Sequence, residues 1–196
     1  RMNAAAVSPE LLRRIESAEH EAWIDMDRAA SPDVRAALGM ERVSTGDGEA
    51  FAVGKIDHIQ FNRIAGLGLS RDVTAEELTN GIAVFDRLGL KNWIVHVTPA
   101  SHNLAKLCAA RGLVPHRRTW AKFVRDALPP MRVETGLEIR EIGPEHSEAF
   151  GQTAVKGFGM PPLVGKWLAA VAGRANWHCF LALDGETPVG TGALYV

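Results

Sequence analysis

Cysteine is scarce in this chain: only Cys108 and Cys179, far apart in sequence. A disulfide scaffold shows an even set of closely spaced cysteines, so the pair fits a reduced, cytoplasmic protein instead. Charge of one sign is also lacking. The net charge is -1, so no global field draws the chain to nucleic acid or to an anionic membrane. No window approaches the roughly 18 apolar residues of a membrane span. The opening stretch, RMNAAAVSPE, is too short and too polar for a signal peptide. Catalytic and metal motifs are equally sparse. The seven histidines include no H-E-x-x-H, neither cysteine has a C-x-x-C partner, and there is no nucleophile elbow, so no metal site is expected. The run G-L-G-L-S-R at 66–71 carries Arg71 where a dinucleotide fingerprint needs its third glycine.

What is present is an ordinary globular composition, 46% hydrophobic and 23% charged, over 196 residues. That length suits one domain or one and a half. The first helix is expected to start at Ser8-Pro9, a cap followed by a proline. Leu11, Ile15, Ala18, Ala22 and Met26 give it one apolar face, and Ser31-Pro32 breaks it. Residues 44–50 are a turn cluster, followed by strand-like runs at 50–56 and 58–67. Thr74 caps the next helix, with Glu77 placed as in a capping box, and Gly89 ends it. A strand over 91–99, a short helix over 101–113 and a strand over 116–126 complete the first unit.

Residues 127–136, ALPPMRVETG, form the best linker in the chain, with two adjacent prolines and no periodicity. A new pattern follows: a strand over 137–142, helices over 143–158 and 160–173, and a hairpin over 176–196 around Asp184-Gly185. The fold class is therefore α+β, a mixed twisted sheet flanked by helices. The division is a first unit over 1–128, a linker over 129–136 and a second unit over 137–196.

Residues 176–196 bring a family into view. CFLALDGETPVGTGALYV resembles the second and third strands of the GNAT superfamily of acyl-CoA-dependent N-acetyltransferases. LEIREIGPEHSEAFGQTAVKGFGMPP resembles the first strand and two helices that precede them. The first unit is similar to the other half of that fold. FNRIAGLGL stands as the fourth strand, SRDVT as the phosphate loop and AEELTNGIAVFDRLGL as the third helix. KNWIVHVTP then stands as the fifth strand and SHNLAKLCAARGL as the fourth helix, with VPHRRTWAKFVRD closing. A Pro-rich linker and a fresh first strand after this run resemble tandem, two-domain members. The likeness covers residues 50–196 and implies a degenerate first unit and a partial second one, cut before its cofactor-binding strand.

The resemblance implies acetyl-CoA as co-substrate and a small-molecule or peptide amine as acceptor. The family holds the pyrophosphate on a glycine loop at a helix start, where free N–H groups and the helix dipole favour an anion. The corresponding residues are Gly66, Gly68, Ser70 and Arg71. The loop departs from the family pattern of Arg or Gln, two residues, Gly, one residue, Gly or Ala. Glu76 and Glu77 also place like charges beside any phosphate. A structural glycine turn is the competing reading. In the fourth-helix signature Leu107, Gly112 and Leu113 match, while Cys108 stands where the family's tyrosine acts as general acid. A thiol can donate a proton, but Cys108 is shorter than a phenol and also reads as a small packing residue. His96, mid-strand at the centre of the sheet, is a candidate base or a satisfied buried histidine.

In the second unit Phe158, Met160 and Trp167 are candidates for lining an acceptor site, or ordinary core residues. Arg111, His116, Arg117, Arg118, Lys122 and Arg125, with Trp120 and Phe123 interleaved, suit a phosphate or RNA, and read better as a solvated strand face because the whole chain is near neutral. Nucleic acid and membrane are not expected partners. Two functions stand: an N-acetyltransferase of which this chain is a partial form, or a non-catalytic binding or dimerisation module whose last strand pairs with a second copy.

Overall fold

The computed structural model describes residues 7–117, 119–125, 128, 129, 131 and 133–196. Ser8 caps α1 (Pro9–Ala29), its hydroxyl accepting from the Leu11 N–H at 3.1 Å, with proline in the first turn where a missing N–H costs nothing. Ser31 repeats the device for α2 (Pro32–Leu38), accepting from the Val34 N–H at 3.3 Å. The proline that the sequence reads as a break therefore also opens a second helix. The apolar face expected on α1 is corrected as well: Ala18 is exposed, and the helix's buried residues are Glu16 and Asp27. Asp27 is tolerated there because Arg35 and Arg42 reach its carboxylate at 2.9 and 3.3 Å.

The first sheet begins earlier than its turn signals suggest. β1 (Met40–Thr45) and β2 (Gly48–Val53) form a hairpin around Gly46-Asp47, so most of the expected turn cluster is strand. The run at 58–67 shrinks to β3 (Arg63–Ala65). Asn62, fully buried, explains the loss: its side chain accepts from the Val53 N–H and donates to the Ile56 carbonyl, both at 2.8 Å, and so folds the preceding loop on itself. After α3 (Ala75–Arg87) comes β4, only Ile94–Val95 of the expected 91–99. The order is β1-β2-β3-β4, antiparallel except for the parallel β3–β4 pair that α3 connects. The Thr74–Glu77 capping box forms as the sequence reads, and α4 (Leu104–Ala110) follows. The expected strand over 116–126 is absent from the described residues there, which pair with no sheet, and Arg118 and Asp126 lie outside them. Mixed alternation gave that run no single buried face: Phe123 is 94% exposed.

The described residues between 128 and 137 carry no helix or strand. The second sheet has the order β5-β6-β7, all antiparallel, from β5 (Glu138–Ile142), β6 (Trp177–Asp184) and β7 (Thr187–Tyr195). Its register shifts beside Ala182, where Leu183 faces Pro188 and Ala182 faces Gly190, leaving Val189 as an extra residue. α5 (Ser147–Phe158) and α6 (Pro162–Ala169) pack on one another through facing glycines. A Cβ on Gly151 would fall 2.1 Å from the Gly165 carbonyl oxygen, which sets how closely the two helices approach.

One apolar cluster joins the two parts of the chain. Ala30, Val34, Leu38, Met40, Val53 and Phe61 pack with Val155, Val164 and Trp167. The Trp167 indole donates to the Met26 carbonyl at 2.8 Å, and Asp25 receives Arg174 and the Trp177 indole, each at 2.8 Å. Helix α1 is thus shared between both sheets. In Gly151→Ala the added methyl has no room, so α5 and α6 must part. A loss of about 1–3 kcal/mol is expected, read as a lower urea midpoint with an unchanged slope.

Candidate functional site

β3 and β4 keep parallel register for only two pairs, Arg63 with Ile94 and Ile64 with Val95. The His96 N–H still reaches the Ile64 carbonyl at 2.9 Å, and then the chains part. Into the opening α1 delivers Glu16, Glu19, His20 and Trp23, residues that share one helical face by their spacing. A cavity of about 10 Å³ remains among Glu16, Glu19, His20, Gly66, His96 and Thr98. Such a volume has room for one water molecule. Gly66 is required at this position twice over: its φ is 78°, and a Cβ there would meet the His20 ring at 2.3 Å.

Arg63 is the centre of the cluster and is 4% exposed. Its guanidinium lies 3.9 Å from the Trp23 ring and 5.9 Å from that of Trp120, within cation–π reach of both. It donates to the carbonyls of Gln60 and Ile59 and faces His96 Nε2 at 3.4 Å, while its Nε is buried with no partner among the described residues. Burial pushes its pKa down to about 10, with Glu19 opposing, so it stays charged near neutrality. A guanidinium only donates, so His96 Nε2 is the acceptor and the ring proton sits on Nδ1. Burial first, and the charge of Arg63 second, push the His96 pKa down to about 4. His96 is therefore a neutral imidazole whose acceptor nitrogen already faces a cation. Lys122 crosses over from the irregular segment and pairs with Glu16 at 2.5 Å and with Glu19. Burial alone would raise the Glu19 carboxyl, but the bond and charge of Lys122 outweigh it and hold Glu19 below its ordinary value.

The glycine loop lies beside this cleft, and the N–H groups of Gly68, Ser70, Val73 and Thr74 are engaged within the chain. Asp47, from the β1–β2 turn, accepts from the Gly68 N–H at 2.6 Å and from the Ser70 N–H and hydroxyl, each at 2.7 Å. Those bonds overcome burial and keep the Asp47 carboxyl below its usual range. Arg71 is bound to Glu77 at 2.5 Å, and the Val73 N–H donates to Asn103 at 2.8 Å. The Thr74 and Glu77 N–H groups serve the capping box. Arg71 and the Thr74 N–H depress the Glu77 carboxyl to about 2, so a fixed negative charge faces the loop. These residues do not fit a pyrophosphate: a carboxylate already fills the place an anion would take.

The remaining candidates lie elsewhere. Cys108 belongs to the core under α3 and α4, and burial pushes its thiol upward, away from ionisation. Met160 and Trp167 share the cluster that joins the two parts of the chain, and Phe158 is 68% exposed. Of the basic stretch, Lys122 is committed to α1. Glu16, Glu19, Trp23, Asp47 and Arg63 escape the sequence reading. The first three had a signal in their helical spacing, and Arg63 in being a lone charge inside an apolar run. Asp47 had none, because its partners lie more than twenty residues away. Among the described residues no group of three metal-ligating side chains converges, and no helix is long and apolar enough to cross a membrane. No family model, curated protein or solved structure matches the chain.

The depressed His96 pKa has a consequence for stability. Between about pH 4 and 6.5 the unfolded chain holds a proton on this histidine that the folded chain does not, so stability rises with pH across that window and falls as pH drops through it. His20 is shifted in the same direction by burial and adds to the slope. His96→Gln is expected to flatten, without abolishing, the rise in urea midpoint between those limits. An unchanged slope would place the pH dependence elsewhere.

Proposed function

We propose that this chain serves acyl-CoA-dependent N-acetyl transfer in the manner of the GNAT superfamily, with its first unit supplying structure rather than chemistry. The observation that carries the likeness is the pair of parallel strands, β3 and β4, that are joined by α3 and part after two register pairs. The family resemblance places the reacting thioester in such an opening. In the reaction the acceptor amine attacks the thioester carbonyl, the carbon–sulfur bond breaks, and the thiolate takes up a proton to leave as coenzyme A. In the first unit the opening is filled by α1 and Trp120, and the loop by Asp47. On this reading the acetyl-CoA site is supplied by residues other than 66–74. The cytoplasm, where acetyl-CoA and free thiols coexist, is the compartment the reading implies.

A second reading rests on β7. Its residues, Thr187–Tyr195, carry no charge, and its outer edge has no partner among the described residues. Charged side chains are the usual guard on such an edge. A second copy pairing there would make the chain a dimerisation module without catalysis.

Two measurements separate the readings. Acetyl-CoA titrated into Arg71→Ala by calorimetry is expected to bind as it does to the unaltered protein, and a loss of affinity would overturn the inert first unit. Thiol release from acetyl-CoA by the native protein, with a panel of amines, is expected and is to survive Arg71→Ala. Absence of release together with a concentration-dependent dimer in sedimentation supports the module instead.

A further inference from the structure

Asp47-Gly48, Asn80-Gly81 and Asp184-Gly185 are dipeptides whose side chains close readily onto the backbone. In each, the glycine's backbone nitrogen loses its proton and attacks the side-chain carbonyl carbon of the residue before it. A carbon–nitrogen bond forms, ammonia leaves from asparagine or water from aspartic acid, and a succinimide ring results. Water then opens the ring at either carbonyl. One opening gives aspartate. The other gives isoaspartate, in which the main chain runs through the side-chain carbon. Glycine in second place favours closure because no Cβ hinders the approach. In an unfolded chain near neutral pH asparagine closes faster than aspartate, so Asn80 leads there.

The fold treats the three differently. Gly81 is buried in the middle of α3, where its N–H serves the helix ladder. A Cβ there would fall 2.8 Å from Ile64 Cδ1, so the helix lies tight on β3 at this point. The Asp47 carboxylate is committed to the Gly68 N–H and to the N–H and hydroxyl of Ser70. Those bonds keep it ionised, whereas the ring closes through the neutral acid. Asp184 is the contrast. It ends β6, and it, Gly185 and Glu186 are all exposed. Its carboxylate has no hydrogen bond or ion pair among the described residues. Its register partner is Thr187, the last pair before the turn. A pair at a hairpin tip opens at far lower cost than pairs in the body of a sheet.

We propose that Asp184-Gly185 is the site at which the folded chain modifies itself to isoaspartate, and that the fold shields Asp47 and Asn80 from the same chemistry. The product carries one more main-chain carbon between Leu183 and Gly185 and a free carboxylate on the Asp184 Cα. Mass and charge are unchanged, but the Asp184–Thr187 pair loses its geometry. The change falls on the same hairpin that already carries Val189 as an extra residue. The inference depends on neither functional reading given above.

The intact chain, aged in warm, neutral buffer made with heavy-oxygen water, reports each ring opening by mass, because the entering water leaves one heavy oxygen behind. Peptide mapping of the folded chain is expected to show uptake at Asp184 about tenfold or more ahead of Asp47, the factor given by charge-assisted hydrogen bonds on one carboxylate and none on the other. Asn80 is expected to trail Asp184 in the folded chain and to lead it in guanidinium chloride, where Asp47 and Asp184 react alike. Asp184→Glu replaces the five-membered ring by a disfavoured six-membered one, and is expected to abolish the isoaspartyl peptide at the hairpin while the other two sites keep their rates. Equal uptake at Asp47 and Asp184 in the folded chain overturns the shielding, as does an Asn80 that leads in the folded chain. No isoaspartyl peptide at Asp184 in the folded chain, over the time in which the unfolded chain forms it, overturns the site itself.

Discussion

Helix α1 carries four carboxylates that are met by cations from elsewhere in the chain, and the arrangement of both sheets depends on that matching. Asp27 receives Arg35 from α2 and Arg42 from β1. Asp25 receives Arg174 from the loop after α6. Glu16 and Glu19 share Lys122. A helix placed between two sheets would ordinarily be apolar all round. Here part of the buried surface is charged, so each contact fixes a direction as well as an energy. Apolar packing would allow the helix to roll, whereas paired charges of this kind hold one rotation. Trp167 and Trp177 add indole N–H bonds to the same helix, which ties the second sheet to that rotation.

The cleft shows the same economy of internal partners. A parting pair of parallel strands is a natural place for a ligand, because backbone groups there lose their ladder. In this chain the opening is taken by side chains that satisfy most of one another's polar groups, with Arg63 Nε and His20 Nε2 left buried without a partner among the described residues. Arg63 lies within reach of two tryptophans, His96 accepts from it, and the acids of α1 hold Lys122. The glycine loop follows suit, with Asp47 seated on its amides. An arrangement of this kind favours a rigid scaffold over a site awaiting substrate, since most of the polar groups that would greet a ligand are spent within the chain.

Local signals were legible in the sequence, and long-range ones were not. Ser8-Pro9 and the Thr74–Glu77 box lie within single turns, and both formed as read. The second sheet was readable because its strands are bounded by Gly and Pro turns and alternate cleanly on β6. The losses occurred where a side chain replaced the backbone as the partner. Asn62 folds the loop before β3 and shortens a strand that hydrophobicity alone extends. β1 was missed because Met40–Thr45 mixes charge with apolar residues, as a strand packed against α3 on one side allows. The site was half visible. His96 was picked out by its position in the sheet, and Gly66 and Gly68 by the resemblance of their loop to a phosphate loop; Glu16 and Glu19 share a helical spacing that does not name their partners, and Asp47 pairs across a distance that leaves no periodic trace. Cys108 and Trp167 carried chemically attractive side chains whose burial only the packed core reveals.

The seat of Asp47 can also be viewed as a competition. Its carboxylate is tethered two residues after β1 and directly before β2, so it is present at the loop at an effective concentration of about millimolar or higher. Any phosphate arriving from solution must displace a rival that never diffuses away. The loop therefore holds its shape at anion concentrations below that level, and its conformation is decoupled from the supply of phosphorylated metabolites.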